Sequence, residues 1–136
     1  MEEKKADSSD INRIRYLVKL WRDQGWPDIT PVTRALLDLW HAEDRFRPLF
    51  FCQLEALETL IFITEVAKQT KYGHDWIEKY LREKAEEAGT DLFRVACKMA
   101  TGSGKTVVMS LLVAWQVLNK RRYPHDKRFT DAFLAC

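Results

Sequence analysis

No stretch of this 136-residue chain is apolar over the length of a membrane span. Its opening, MEEKKADSSD, is charged and polar, without the hydrophobic core of a secretion signal. Charge of one sign is missing too. The 22 Lys and Arg nearly balance the 20 Asp and Glu, and a net +2 argues neither for nor against a nucleic-acid partner. The three cysteines, Cys52, Cys97 and Cys136, form no CxxC pair and no metal-ligand spacing; two lie inside apolar segments, as buried thiols of a reducing compartment do. His41, His74 and His125 are scattered, without cysteines or paired carboxylates beside them, which argues against a metal site. Repeats, low-complexity tracts and nucleophile–base pairs are absent as well. A cytoplasmic globular protein without membrane contact is the expectation, and 46% apolar with 31% charged residues suits it.

What is present reads mostly as helix. Ile11, Ile14, Leu17, Val18 and Trp21 share one helical stripe, with Asp10 as N-cap and Gly25 as the stop. Thr30 and Pro31 predict a second start, with Val32, Leu36, Leu39 and Trp40 as its apolar stripe. FFCQLEALETLIFITEVAKQ predicts a long, well-buried helix, in which LIFITE is core rather than a strand ending in a catalytic acid. Asp75 and Glu78 fit a capping box for DWIEKYLREKAEEA, stopped at Gly89. LFRVACKM, residues 92–99, predicts a buried strand; VVMSLLVAWQVLNK a helix whose basic end, Lys120 to Arg122, suits the negative pole of the helix dipole; and DAFLAC, residues 131–136, a second strand. The tryptophans, Trp21, Trp40 and Trp115 among them, fall at helical core positions. Arg13, Arg15, Lys19 and Arg22 mark a solvated face, with a DNA-backbone contact as the alternative.

The chemistry concentrates in KMATGSGKTVVMS, residues 98–110. A loop that wraps a triphosphate needs inward-pointing backbone N–H groups, and residues without Cβ where the backbone turns or comes close. Thr101, Gly102, Ser103 and Gly104 form such a loop, and the following helix adds its dipole and unpaired N–H groups. Lys105 is placed to reach the β- and γ-oxygens as a point charge, in the catalytic position, and the Thr106 hydroxyl to ligate Mg²⁺. The full G-x-x-x-x-G-K-[ST] pattern is broken at its first position, where Met99 stands.

MATGSGKT resembles motif I of the superfamily-two DEAD/DEAH-type helicases, in which that first glycine is often replaced. The wider stretches LFFCQLEALETLIFITEVA, ACKMATGSGKTVVMSLLVAWQVLNK and RFTDAFLAC resemble the helicase (Res) subunit of type III restriction enzymes. INRIRYLVKLWRDQGWPDITPVTRALLDLW is similar to the leader of one branch of those proteins. The resemblance runs from about Ile11 to the end and corresponds to the first part of such a motor. It implies an α/β fold: a polar leader (1–10), a helical region (11–50), then the first strand–P-loop–helix–strand of a RecA-like ATP-binding domain (51–136), incomplete. It implies that Gln53 reads adenine, pairing through its amide with both N6 and N7, with Phe50 or Phe51 packed near the base. An ordinary polar residue at a helix start is the alternative for Gln53. ATP and Mg²⁺ are the implied cofactors, and DNA and a modification methyltransferase subunit the implied partners.

Hydrolysis in that class also needs an acidic pair on a later strand and arginines from a second lobe. Neither is found in these residues. The expectation is therefore an N-terminal fragment of an ATP-dependent DNA motor, binding ATP without turning it over. The alternative is a non-catalytic nucleotide-binding or interaction module.

Overall fold

The computed structural model describes residues 2–69, 73–87 and 104–133. Every regular element among them is helical: α1 (Glu2–Asp23), α2 (Pro31–Trp40), α3 (Phe51–Ile61) with a π-helical turn (Phe62–Val66) on its end, α4 (Asp75–Glu87) and α5 (Lys105–Arg122). The α/β expectation is thereby corrected, since no strand is present among the described residues. The expected strand at 92–99 lies outside them. The expected strand at 131–136 does not form over its described part, Asp131–Phe133. One of its backbone donors is turned to a side chain, Ala132 N–H to Thr130 Oγ1 at 3.1 Å, and just before it Thr130 N–H donates to Gln116 Oε1 at 3.0 Å.

The chain divides into two compact units, Met1–Asp28 with Glu58–Val95, and Ile29–Leu57 with Ala96–Cys136. In the first, Ile14, Val18 and Trp21 of α1 are buried, as are Ile61 to Ile63, Val66 and Ala67 around the π turn and Ile77 and Ala85 of α4. Trp21 meets Phe62 edge-on at 5.6 Å. The helical stripe of α1 is thus the core stripe, except that Ile11 is exposed. The helix starts earlier than expected, with Asp10 already inside it. It stops where expected. Gly25, at φ +80°, donates its N–H to Arg22 O at 2.9 Å, and Trp26 N–H reaches Trp21 O at 3.0 Å. That pair of bonds closes the helix through a left-handed residue with little strain for glycine.

LIFITE is core, as its periodicity suggested, but it leaves α-geometry. Ala67 N–H bonds Phe62 O, five residues back, and the wider turn buries Phe62, Ile63, Glu65 and Val66 together. Arg22 forms an ion pair with the fully buried Glu58, which corrects its placement on a solvated face. Arg13 lies 4.2 Å over the Trp76 ring. The capping box on α4 is also corrected: Asp75 is the first helical residue, and Glu78 pairs with Arg82 at 2.8 Å.

In the second unit α2 packs on α5. Thr30 caps α2 as expected, accepting the Thr33 N–H at 3.1 Å, with Pro31 at the first helical position. The buried face is Thr33, Leu37 and Trp40; Leu39 points to solvent. Two buried polar residues, Thr33 and Asn119, sit where the helices meet. Thr33 Oγ1 accepts from Trp115 Nε1 at 3.2 Å and from Asn119 Nδ2 at 3.0 Å. Asn119 Nδ2 also donates to Trp115 O at 2.9 Å, and its Oδ1 accepts from Thr30 Oγ1 at 2.5 Å. The Thr30 and Thr33 hydroxyls are 3.0 Å apart, so each polar atom of the cluster finds a partner. Apolar contacts tolerate sliding; this circuit closes in one register only.

Candidate phosphate-binding site

The site is built on the N-terminus of α5. Gly104 is its N-cap, in the left-handed conformation at φ +76°, ψ 42°, with no side-chain cap. An 18-residue helix beginning there offers its first N–H groups and the positive end of its dipole to an anion. Lys105 and Thr106 occupy the first two helical positions and are exposed. The Thr106 carbonyl accepts from Ser110 Oγ at 2.9 Å within the helix. Thr101, Gly102 and Ser103 lie outside the described residues.

Gln53 meets this terminus from 51 residues earlier in the chain. Its Nε2 donates to the Gly104 carbonyl at 3.2 Å, the same oxygen that accepts Val108 N–H at 3.2 Å. Its Oε1 accepts from the Phe50 N–H at 2.8 Å, closing the first turn of α3 as an N3 glutamine does in a capping box. The side chain is 4% exposed. Those two bonds fix the amide's orientation, since a donor must face the carbonyl and an acceptor the N–H. A Cβ at Gly104 would run into Gln53 Nε2, so a side chain there would have to displace the amide and break these bonds.

Gln53 is therefore both the polar residue at a helix start and the neighbour of Gly104. One N–H and one acceptor position of its amide stay outside these two bonds. Phe50 and Phe51, beside it, are about two-thirds exposed, at 64% and 63%. Cys52 is exposed and unbridged, which corrects the expectation of burial for it; Cys97 and Cys136 lie outside the described residues.

A cleft of about 130 Å³ belongs to the first unit and contains none of the sequence-predicted site residues. Ile63, Ala67, Lys68, His74, Asp75, Ile77 and Glu78 line it. It is too small for a nucleotide. Burial, reinforced by the Arg13 charge and opposed by Asp75, lowers the His74 pKa below its usual 6.5. Among the described residues no three His, Cys, Asp or Glu gather as metal ligands. No helix among them is long and apolar enough to cross a membrane. Comparison with protein-family models, curated proteins and solved structures finds no match.

Proposed function

We propose that the chain binds Mg·ATP at the N-terminus of α5. Lys105 reaches the terminal phosphate oxygens, Thr106 contributes its hydroxyl to Mg²⁺, and the backbone from Thr101 to Gly104 supplies N–H donors. The observation that carries this reading is the bond from Gln53 to the Gly104 carbonyl. Two positions singled out from distant parts of the sequence, one for the base and one for the phosphates, belong to one local structure. Gln53 acts by holding Gly104 in its left-handed turn; contact with the adenine edge is the role the resemblance gives it. Mg²⁺ requires no protein cluster here, because it takes most of its ligands from phosphate and water. By the resemblance of the loop and its flanks, the nucleotide serves an ATP-dependent DNA motor of the type III restriction-enzyme kind, in the cytoplasm, with DNA and a modification methyltransferase subunit as partners.

Calorimetric titration of Mg·ATP into the purified chain tests the reading. Saturable heat is expected. Lys105→Ala, which removes a charge-assisted contact of about 1.5–3 kcal/mol, should weaken binding by roughly tenfold to a hundredfold. GTP should bind more weakly than ATP if the Gln53 amide reads the base. No heat from wild-type protein of native helicity, or an unchanged affinity in Lys105→Ala, would overturn the proposal.

A further inference from the structure

The opposite end of α5 carries charge in excess of what the helix needs. Between residues 120 and 128 lie Lys120, Arg121, Arg122, Lys127 and Arg128 against a single carboxylate, Asp126, in a chain whose net charge is only +2. A helix C-terminus presents about half a negative charge, which one or two cations satisfy. The fold gathers the surplus. After the C-cap at Tyr123 the chain turns back, with Asp126 N–H on Tyr123 O at 3.0 Å, and is anchored by Phe129, buried edge-on against Trp115 at 6.1 Å. Asp126 draws the two arms together: its carbonyl accepts from Lys120 Nζ at 3.4 Å and its carboxylate from the Arg128 guanidinium at 2.8 Å. That pairing neutralises Arg128. It leaves Arg121, Arg122 and Lys127 exposed, with the Arg122 guanidinium 5.6 Å from the Tyr123 ring.

We infer that this turn, from Lys120 to Arg128, is a sequence-independent contact surface for the phosphodiester backbone of a nucleic acid. Arginine forks match phosphate oxygens, and repeated cations on an ordered turn suit a polymer with evenly spaced charges. A membrane surface is the poorer fit, because the segment exposes no large apolar side chain to insert among lipids. The inference does not rest on the nucleotide site.

The test is fluorescence anisotropy of a labelled duplex oligonucleotide, titrated with the purified chain across a salt series. Replacing Arg121, Arg122 and Lys127 together by Ala should reduce the log–log salt slope by about 3, one per lost phosphate contact, and weaken binding by about tenfold or more at low salt. Arg121→Lys with Arg122→Lys should restore much of the affinity. Lys19, Lys68 and Lys79, all exposed in the other unit, replaced together by Ala remove the same charge and should cost far less. The triple variant should keep its melting temperature and its Mg·ATP heat, whatever the outcome of the nucleotide test in the wild type. Equal losses in the two triple variants, no binding by wild-type protein, or tighter binding to phosphatidylserine vesicles than to the duplex would overturn the inference.

Discussion

At Gly104 two independent constraints meet in one residue. Its φ of +76° costs an L-residue roughly 1–2 kcal/mol, and its missing Cβ makes room for the Gln53 amide. Gly104→Ala should therefore lose more stability than backbone strain alone accounts for. In a Gln53→Ala background the same substitution should cost only the strain, about 1–2 kcal/mol, because the side chain it collides with is gone. Thermal or urea denaturation of the four proteins closes that cycle. Strict additivity would mean that the amide does not occupy this position in solution. Gln53 was legible in the sequence as a helix-start residue, and the resemblance assigned it a base contact, which stays part of the proposal. Its bond to Gly104 was not legible, because a capping pattern describes one helix and says nothing of which second helix end arrives beside it.

Among the elements, α5 reads as apolar nearly all round, from Val107 to Leu118. Burial is nonetheless one-sided. Val108, Trp115 and Asn119 are enclosed, while Met109 at 55% and Val113 at 39% face outward among the described residues. The two faces should respond differently. Asn119→Leu or Thr33→Val leaves buried hydrogen-bonding groups without partners and should cost about 1–3 kcal/mol. Met109→Gln and Val113→Lys should each stay within about 0.5 kcal/mol of wild type. Melting temperatures of the four variants decide it, and equal losses on both faces would mean that the outward face is covered in solution. Hydrophobicity alone could not have separated these faces. The polar pair could: an Asn one helical turn beyond a Trp is affordable in a core only when a second element brings hydroxyls to it, and α2 does so through Thr30 and Thr33.

For the whole molecule, acid should be destabilising in distinct windows. Burial lowers the His74 pKa, so the folded chain resists the proton that the unfolded chain accepts. Stability from this residue is present above the unfolded value near 6.5 and declines as pH falls through it. The bond from Arg82 lowers the Glu78 pKa, and that from Arg128 lowers the Asp126 pKa. Their contributions are present above the ordinary values of 4.5 and 3.8 and are lost as pH drops below them. Urea midpoints measured from pH 8 to pH 3 should fall first around pH 6.5, and His74→Phe should flatten that first step. A midpoint that rises between pH 7 and pH 6 would contradict the sign.

The sequence by itself determined the helices that carry their own punctuation. Gly25 ends α1, Thr30 with Pro31 starts α2, and Trp21, Trp40 and Trp115 are buried as their positions predict, because caps, fixed φ values and 3.6-residue periodicity act within a few neighbouring residues. Trp26 instead sits in the turn, and Trp76 is half-buried. It also singled out the glycine–lysine–threonine turn as the candidate phosphate site, because residue types at that spacing are what a phosphate loop requires. Only the tertiary structure decided that Asp131–Phe133 forms no strand, that Arg22 serves Glu58, that Gln53 holds Gly104, and that Lys120 and Arg128 both bond Asp126. Each of these depends on which distant group a donor or charge finds, and the free energy of that choice belongs to the pair, not to either residue.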